Sequence, residues 1–366
     1  MPHDACEVPR AGSDRAAAEG RDVRLELTEL ALPLVHTFTI SRGSATAAHT
    51  LVARAAWRGV EGLGETAPSA RYDETIASVA AELAAHALGD DPYAFEHELK
   101  RLGPAARCAL DIAMHDLVGK DVERPLWQLL GCDPARTPVT SFTIGIDAPE
   151  AMLAKLDEIA DHPIVKVKLG FPGDIDVLDA MRARYTGTLR VDANEAWTPE
   201  LAVANLERLA RADVEFCEQP IPAGNPERLR WIRERSRVAI VTDEDSVDAR
   251  DLHALAGCVD GINVKLVKCG GIRGALAMIH TARALGLKIM LGCMVESAIL
   301  TTAAAHLSPL VDWADLDGPF LTAGDPFVGV TYANGKLVLP TTPGLGVTER
   351  TPAAAFVATR TGTNVP

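Results

Sequence analysis

Residues 164–170 read Ile164-Val165-Lys166-Val167-Lys168-Leu169-Gly170. The run is apolar except for two lysines at alternate positions, so it reads as a buried parallel strand with both ammonium groups leaving one face. Burying an unpaired ammonium costs several kcal/mol or forces it to deprotonate, so that face must lead to something anionic. The chain has nine lysines, and Lys166, Lys168, Lys265 and Lys268 fall in two strand-like apolar segments, 164–170 and 262–269. The plainer alternative is an edge strand with a wet face bearing two solvated lysines.

From residue 139 onward, short apolar strands alternate with amphipathic helices, the pattern of parallel βα units. Strands are expected over 139–146, 164–169, 189–193, 214–218, 238–242, 261–267, 288–292 and 311–316. The segments 149–160, 199–212 and 274–285 have helical spacing, and such segments often begin at Pro or just after Ser, Thr or Asp. Eight units at a spacing of roughly 25 residues predict a closed TIM-type (β/α)7β barrel rather than an open doubly wound sheet. No Gly-x-Gly-x-x-Gly follows a first strand, which counts against a dinucleotide fold.

Before the barrel, β-rich runs at 23–35 and 50–57, the second turning at Arg58-Gly59 ahead of Gly62-Leu63-Gly64-Glu65, indicate a small antiparallel sheet. A polar loop, 36–44, is expected between its first two strands. Helical periodicity covers 74–88, 93–102 and 105–119; Asp111, His115 and Asp116 lie in the last of these and are read as structural. After the eighth strand, 334–340 reads as a turn and strand, and the Gly- and Pro-containing stretch 343–346 is expected to return to the N-terminal sheet. The resulting division is a loose tail (1–21), an α+β capping domain (22–138), the barrel (139–330) and a C-terminal return to the cap (331–366).

A chain of 366 residues, 48% hydrophobic and 23% charged, has the composition of a soluble globular enzyme. Its net charge of -14 argues against nucleic acid and anionic membrane surfaces as partners, and fits a protein that gathers carboxylates around a cation. The seven cysteines are scattered without a Cys-x-x-Cys pair, which indicates reduced thiols and a cytoplasmic setting. Residues 1–21 have no continuous apolar region and read as neither signal peptide nor anchor. No apolar run approaches the roughly 18 residues needed to cross a bilayer.

In a barrel of this type the site lies at the carboxyl ends of the strands. The second strand ends in Lys166 and Lys168, the third in Asp192 and Asn194, the fourth in Glu218 and Gln219, and the fifth in Asp243, Glu244 and Asp245. The sixth carries Lys265, the seventh is followed by Glu296, and the eighth ends in Asp315 and Asp317. Three consecutive strands ending in carboxylates converge on one region, and like charges that converge call for a cation. Hard oxygen ligands suit Mg2+ or Mn2+.

The order Lys166-x-Lys168, Asp192, Glu218, Asp243 and then Lys265 within Asn263-Val264-Lys265-Leu266 resembles the enolase superfamily, specifically its muconate lactonizing subgroup. Within that subgroup, Gly292-Cys293-Met294-Val295-Glu296-Ser297 and Asp315-Leu316-Asp317-Gly318-Pro319 look like the dipeptide epimerases. The resemblance runs from about Val23 over nearly the whole chain. It implies Asp192, Glu218 and Asp243 as metal ligands and Lys168 and Lys265 as acid/base residues. The fifth strand departs from the family's usual Asp-Glu-Ser by reading Asp243-Glu244-Asp245-Ser246, which leaves the third ligand open among its acids; Asp243 comes first after the apolar strand.

The chemistry so implied is inversion of the α-carbon of the C-terminal residue of a dipeptide such as L-Ala-L/D-Glu. Proton removal on one face and return on the other require two bases, and a dication stabilises the enediolate formed between. A lysine is a base only when neutral, so a neighbouring cation such as Lys166 is expected to lower the pKa of Lys168. Lys166 is also expected to contact the substrate carboxylate. Asp315 and Asp317 share a strand face and need a cation, for which the substrate's α-ammonium is the candidate. Arg42 is a candidate partner for an acidic substrate side chain, and Glu296 a further substrate-binding residue. Lys268 falls on the opposite face of a continuing strand and is read as structural. Two alternatives stay open: another reaction on this scaffold (cycloisomerase, o-succinylbenzoate synthase or N-acylamino acid racemase) and a non-enzymatic metal-binding barrel. The sequence does not decide oligomeric state, and a homo-oligomer is left open.

Overall fold

The computed structural model describes residues 22–350, and its first unit is a sheet of three antiparallel strands, β1 (Arg24–Ile40), β2 (Gly43–Trp57) and β3 (Val60–Thr66). The tail expected at 1–21 and the chain beyond residue 350 lie outside the described residues. The polar stretch expected to be a loop is instead the far end of a long β1–β2 hairpin, in which Phe38 pairs with Ala45 and Thr39 with Ser44. A two-stranded ribbon needs no core, and β-branched Thr favours an extended backbone, so Thr and Ser are compatible with strand there. The register slips between Pro33, which has no N–H to donate, and Phe38. A two-residue turn, Arg58-Gly59 with both φ positive, leads into β3.

Helix Pro104–Asp121 lies directly on β3. A Cβ on Gly62 would meet the Ala113 carbonyl oxygen at 2.1 Å and one on Gly64 the Ala109 carbonyl oxygen at 2.0 Å, so the two glycines set how closely sheet and helix approach. The residues of this helix read as structural are so. Asp111 accepts the N–H of Ile272 (2.5 Å) at the start of helix Gly271–Ala284, and Asp116 accepts the N–H groups of Leu63 and Leu345 at 2.7 Å. The helix expected over 93–102 is reduced to one turn, Glu96–Leu99.

The eight barrel strands are β4 (Phe142–Ile144), β5 (Ile164–Lys168), β6 (Thr188–Asp192), β7 (Val214–Glu218), β8 (Ala239–Thr242), β9 (Gly261–Val264), β10 (Lys288–Gly292) and β11 (Trp313–Asp315). They are parallel and adjacent in chain order. The Ser141 N–H donates to the Ala314 carbonyl at 3.2 Å beside a Thr140–Ala314 bridge, which closes β4 onto β11. A helix follows each of the first seven strands, giving the (β/α)7β count. Val165 and Val167 are fully buried in the shell between strands and helices, whereas Lys166 and Lys168 point into the barrel. The wet-edge reading of this strand therefore fails.

Strand β9 stops at Val264, three residues before its expected end. Lys265 caps a single helical turn, Leu266–Cys269, which closes at Gly270 in the left-handed conformation. After β11 the chain forms short pairs, β12 (Phe327–Val328) with β15 (Thr348–Glu349) and β13 (Thr331–Ala333) with β14 (Lys336–Val338). The C-terminal return seats chiefly against helix Pro104–Asp121 and its continuation, with Leu126 N–H donating to the Gly344 carbonyl at 2.8 Å. It reaches the N-terminal sheet through the Glu349–Arg54 ion pair. Among the described residues the six cysteines are free, and no helix is long and apolar enough to cross a membrane.

Candidate active site

Because each barrel strand alternates in and out, the residues at its carboxyl end that share a face with the inward positions converge in the mouth. Lys166 from β5 is the hub. Its Nζ lies 2.5 Å from Glu218 Oε2, 2.6 Å from Asp315 Oδ2 and 3.6 Å from Asp192 Oδ2. Burial opposes its charge, but Asp315, Glu218 and Asp192 hold the ammonium well above the usual lysine range. Lys168 Nζ sits 2.6 Å from Asp192 Oδ2. Burial pushes Asp192 up, yet Lys168 and Lys166 outweigh it and keep the carboxyl below its ordinary value.

Across the ring, Lys265 Nζ lies 2.9 Å from Asp243 Oδ2, and Met294 Sδ is 4.0 Å away. Strands β5 and β9 are four apart in an eight-stranded barrel, so Lys168 and Lys265 face the mouth from opposite sides. Burial lowers the Lys265 pKa, but Asp243 and Glu218 outweigh it and raise it, with Lys166 pulling the other way. At Lys265 the lowering by Lys166 is smaller than the pull of the carboxylates. Asp243 itself is held well below its usual range despite burial, because Lys265 and Lys268 bracket it.

The three acids of the fifth strand separate. Asp243 faces the ring. Asp245 turns away to tie two loops, accepting from Gln219 Nε2 at 2.7 Å and from Gly224 N–H at 2.6 Å. Glu244 is buried with Arg42 as its partner, Oε1 to NH1 at 2.8 Å, and burial with Asp243 and Asp192 nearby pushes its carboxyl up to about 7. Arg42, at the hairpin tip, also reaches Glu195 Oε2 and the Asn194 carbonyl, each at 3.2 Å. Glu195 is held independently by Arg71 and by the Ala223 N–H.

Asp315 and Asp317 share a face but not a fate. Asp315 is taken up by Lys166 and by Ser141 Oγ at 2.6 Å; burial raises its pKa, but Lys166 more than offsets this and brings the carboxyl down to about 2. Asp317 accepts the Thr143 N–H at 2.7 Å and has no ion pair among the described residues. Burial, with Asp315 beside it, raises its pKa to about 6. Glu296 turns back on its own loop, accepting the Met294 N–H at 3.0 Å and the Thr301 hydroxyl at 3.2 Å.

Among the described residues no three His, Cys, Asp or Glu side chains already stand as a closed cation cage, since each of Asp192, Glu218 and Asp243 is drawn to an ammonium. The donor set still suits a hard dication. Asp192, Glu218 and Asp243 are all buried, and Glu218 is raised by burial and by Asp192 despite the Lys166 ammonium 2.5 Å from its Oε2. Buried carboxylates that converge are costly unless cations balance them, and hard oxygen donors of this kind suit a dication.

The comparisons agree with this geometry. Residues 24–131 match the model described as "Mandelate racemase / muconate lactonizing enzyme, N-terminal domain", and 151–353 match "Enolase C-terminal domain-like". This chain belongs to the mandelate racemase/muconate lactonizing enzyme family. Among its relatives in that family is an L-Ala-D/L-amino acid epimerase of Maribacter sp., 36% identical over 89% of this chain and 99% of the relative. Another is an L-Ala-D/L-Glu epimerase of Bacteroides thetaiotaomicron, 37% identical over 90% of this chain and 88% of the relative. A dipeptide epimerase of Enterococcus faecalis, solved with Mg and the dipeptide L-Leu-L-Tyr, superposes with a TM-score of 0.85 at 33% identity, covering 90% of this chain and all of that one.

Several residues of this family member's site escaped the sequence reading. Asn263 Nδ2 donates to Glu218 Oε1 at 2.7 Å, and Ser141 and Thr143 serve the strand-eight acids; Gln219, placed at a strand end by the sequence, gains a role in the structure, its Oε1 accepting the Asp243 N–H at 3.0 Å. Their partners lie far away in the chain and leave no local signal. Lys268 is different: the glycine pair Gly270-Gly271 marks the end of a helical turn and so signals that the strand has already stopped.

Proposed function

We propose that the protein is a metal-dependent dipeptide epimerase that inverts the α-carbon of the C-terminal residue, with L-Ala-L/D-Glu as the leading substrate. The observation that carries this reading is the pair of lysines, Lys168 and Lys265, facing one mouth from opposite sides, beside a buried Asp317 that pairs with no cation among the described residues. Asp192, Glu218 and Asp243 would hold Mg2+, or Mn2+ in its place. The bound dication supplies positive charge where the substrate's carboxylate oxygens become enediolate-like.

The chain's own groups do the rest. Lys168 removes or returns the α-proton on one face and Lys265 on the other. Each must be neutral when it acts as a base, which requires that its carboxylate partner be drawn elsewhere when the site is filled. Lys166 supplies fixed positive charge beside the substrate carboxylate. Asp317, with Asp315 behind it, receives the α-ammonium, a group that an N-acylamino acid or a succinylbenzoate precursor lacks. Arg42 can serve a substrate side-chain carboxylate by releasing Glu195, which keeps Arg71 and the Ala223 N–H. Glu296 supports the loop behind these groups.

A cytoplasmic role in recycling cell-wall peptide fits an Ala-Glu substrate. The capping unit at 22–138 with its return from 331 to the end of the described residues at 350, and the barrel at 139–330, are proposed as the two domains. The test is turnover of a library of free dipeptides in D2O with Mg2+, read by mass spectrometry. Deuterium entering the C-terminal α-position with inversion is expected. Exchange absent from every dipeptide refutes the reading.

A further inference from the structure

Lys265 and Lys268 stand one helical turn apart and meet the same carboxylate from its two sides, yet their surroundings differ. Lys265 Nζ has one oxygen partner, Asp243 Oδ2 at 2.9 Å. Lys268 Nζ has four: Asp243 Oδ1 at 2.5 Å, the Asp243 carbonyl at 2.6 Å, the Ser246 carbonyl at 3.0 Å and the Asn263 carbonyl at 3.1 Å. An ammonium has three N–H donors, so Lys268 is saturated, and its side chain is fully buried. It is fixed in place, whereas Lys265 is free to exchange its partner.

We propose that Lys268 is a positioning residue: it pins Asp243 through one carboxylate oxygen and the backbone carbonyl, so that this acid alone of the three on its strand presents an oxygen to the metal ring. The inference rests on the functional reading above and concerns which oxygens that ring offers. Lys268 grips the backbone at Asp243 and at Ser246, the two ends of the Asp243-Glu244-Asp245-Ser246 turn, and so sets which way the intervening acids face. With Oδ1 already occupied, Asp243 offers Oδ2 only and acts as a single-oxygen donor. The same short helical turn that ends β9 early is what brings Lys268 back onto Asp243.

The two roles open to a buried cation at this position differ in sign. If Lys268 acted through charge alone, removing it would tighten the binding of a dication beside it. If it positions Asp243, removing it loosens a ligand and weakens binding; loss of such outer contacts typically costs about 10- to 100-fold in metal affinity.

Mg2+ affinity is therefore measured by titration calorimetry without substrate, on the wild-type protein, Lys268→Met and Lys268→Arg, each checked for native fold by circular dichroism. Lys268→Met, which keeps the volume and loses the donors, is expected to bind Mg2+ about tenfold or more weakly. Lys268→Arg, which keeps charge and donors, is expected to recover most of that loss. Lys268→Leu takes the place of Lys268→Met if the latter does not fold. A folded Lys268→Met protein that binds Mg2+ as tightly as wild type, or more tightly, overturns the proposal, as does one whose melting temperature falls while its Mg2+ affinity holds. A wild-type protein that binds no Mg2+ overturns the functional reading together with this one, whereas unchanged affinity in the variant overturns this one alone.

Discussion

Asp317→Asn tests the substrate class most directly. Asp317 is 3% exposed, its Oδ2 is occupied by the Thr143 N–H, and the group nearest its other oxygen is the Cys293 thiol at 3.8 Å, a weak donor. One carboxylate oxygen thus remains for a cation. The substitution keeps the shape and an oxygen for Thr143 while removing the charge. A charge-assisted hydrogen bond contributes about 1.5 to 3 kcal/mol, so kcat/KM on a free dipeptide should fall roughly ten- to a hundredfold. N-Acetylation of the substrate removes the same ammonium from the other side, so it should cost the wild type a similar factor and the variant much less. The assay is a two-by-two comparison of kcat/KM, wild type and Asp317→Asn against free and N-acetyl dipeptide. Independent, multiplying losses would refute the pairing, and equal wild-type turnover of free and acetylated dipeptide would refute the dipeptide substrate.

Lys168→Ala and Lys265→Ala should each abolish epimerisation while keeping exchange of the α-proton of one stereoisomer, opposite in the two variants; wild-type rates in both would exclude two-base transfer. Glu218→Gln should weaken Mg2+ binding and lower turnover by orders of magnitude, since it removes charge from one of the three buried carboxylates that converge in the mouth, and full activity in excess chelator would contradict this. Arg42→Ala should reduce turnover of Ala-Glu far more than that of Ala-Leu, and an equal effect would remove Arg42 from side-chain recognition. Stability should also fall with acid through His306. Burial lowers the pKa of this residue to about 4 from the ordinary 6.5, and among the described residues its Nδ1 has no hydrogen-bond partner. The folded state then binds fewer protons than the unfolded chain, so the stabilisation is complete above pH 6.5 and is lost progressively as pH falls toward 4. The loss approaches roughly 3 kcal/mol, and His306→Gln should flatten the dependence of melting temperature on pH across that window.

The barrel was legible because its signal is local. A strand such as Ile164–Lys168 needs only its own alternation to be recognised, and the helices announce themselves by Pro at the first turn, as at Pro149, Pro199 and Pro226. What failed to show were places where a neighbour decides. Thr and Ser at 36–44 read as loop because they offer nothing to a core, whereas a hairpin arm is stabilised by its partner strand. The apolar Leu266 and Val267 extend the expected β9 three residues beyond its observed end, although the glycines that follow belong to a helical turn.

The candidate site was legible as a set of strand ends but not as a set of partnerships, and the strand-eight acids show why. Asp315 and Asp317 are equivalent in the sequence: same residue type, same face, two positions apart. What separates them is the reach of Lys166, whose strand β5 lies beyond β4 from β11, so that its ammonium passes Thr143 and meets Asp315 at 2.6 Å. Once Asp315 has that cation, its charge raises the cost of ionising Asp317 beside it, and Asp317, held by a single backbone N–H, is left as the group that gains most from a new cation. Had Lys166 been one position earlier in the strand it would face the helices, both acids would lack a cation, and the mouth would repel rather than select. On the proposed function, selectivity for a free ammonium would depend on the period of two in Lys166-Val167-Lys168 as much as on the acids that would make the contact.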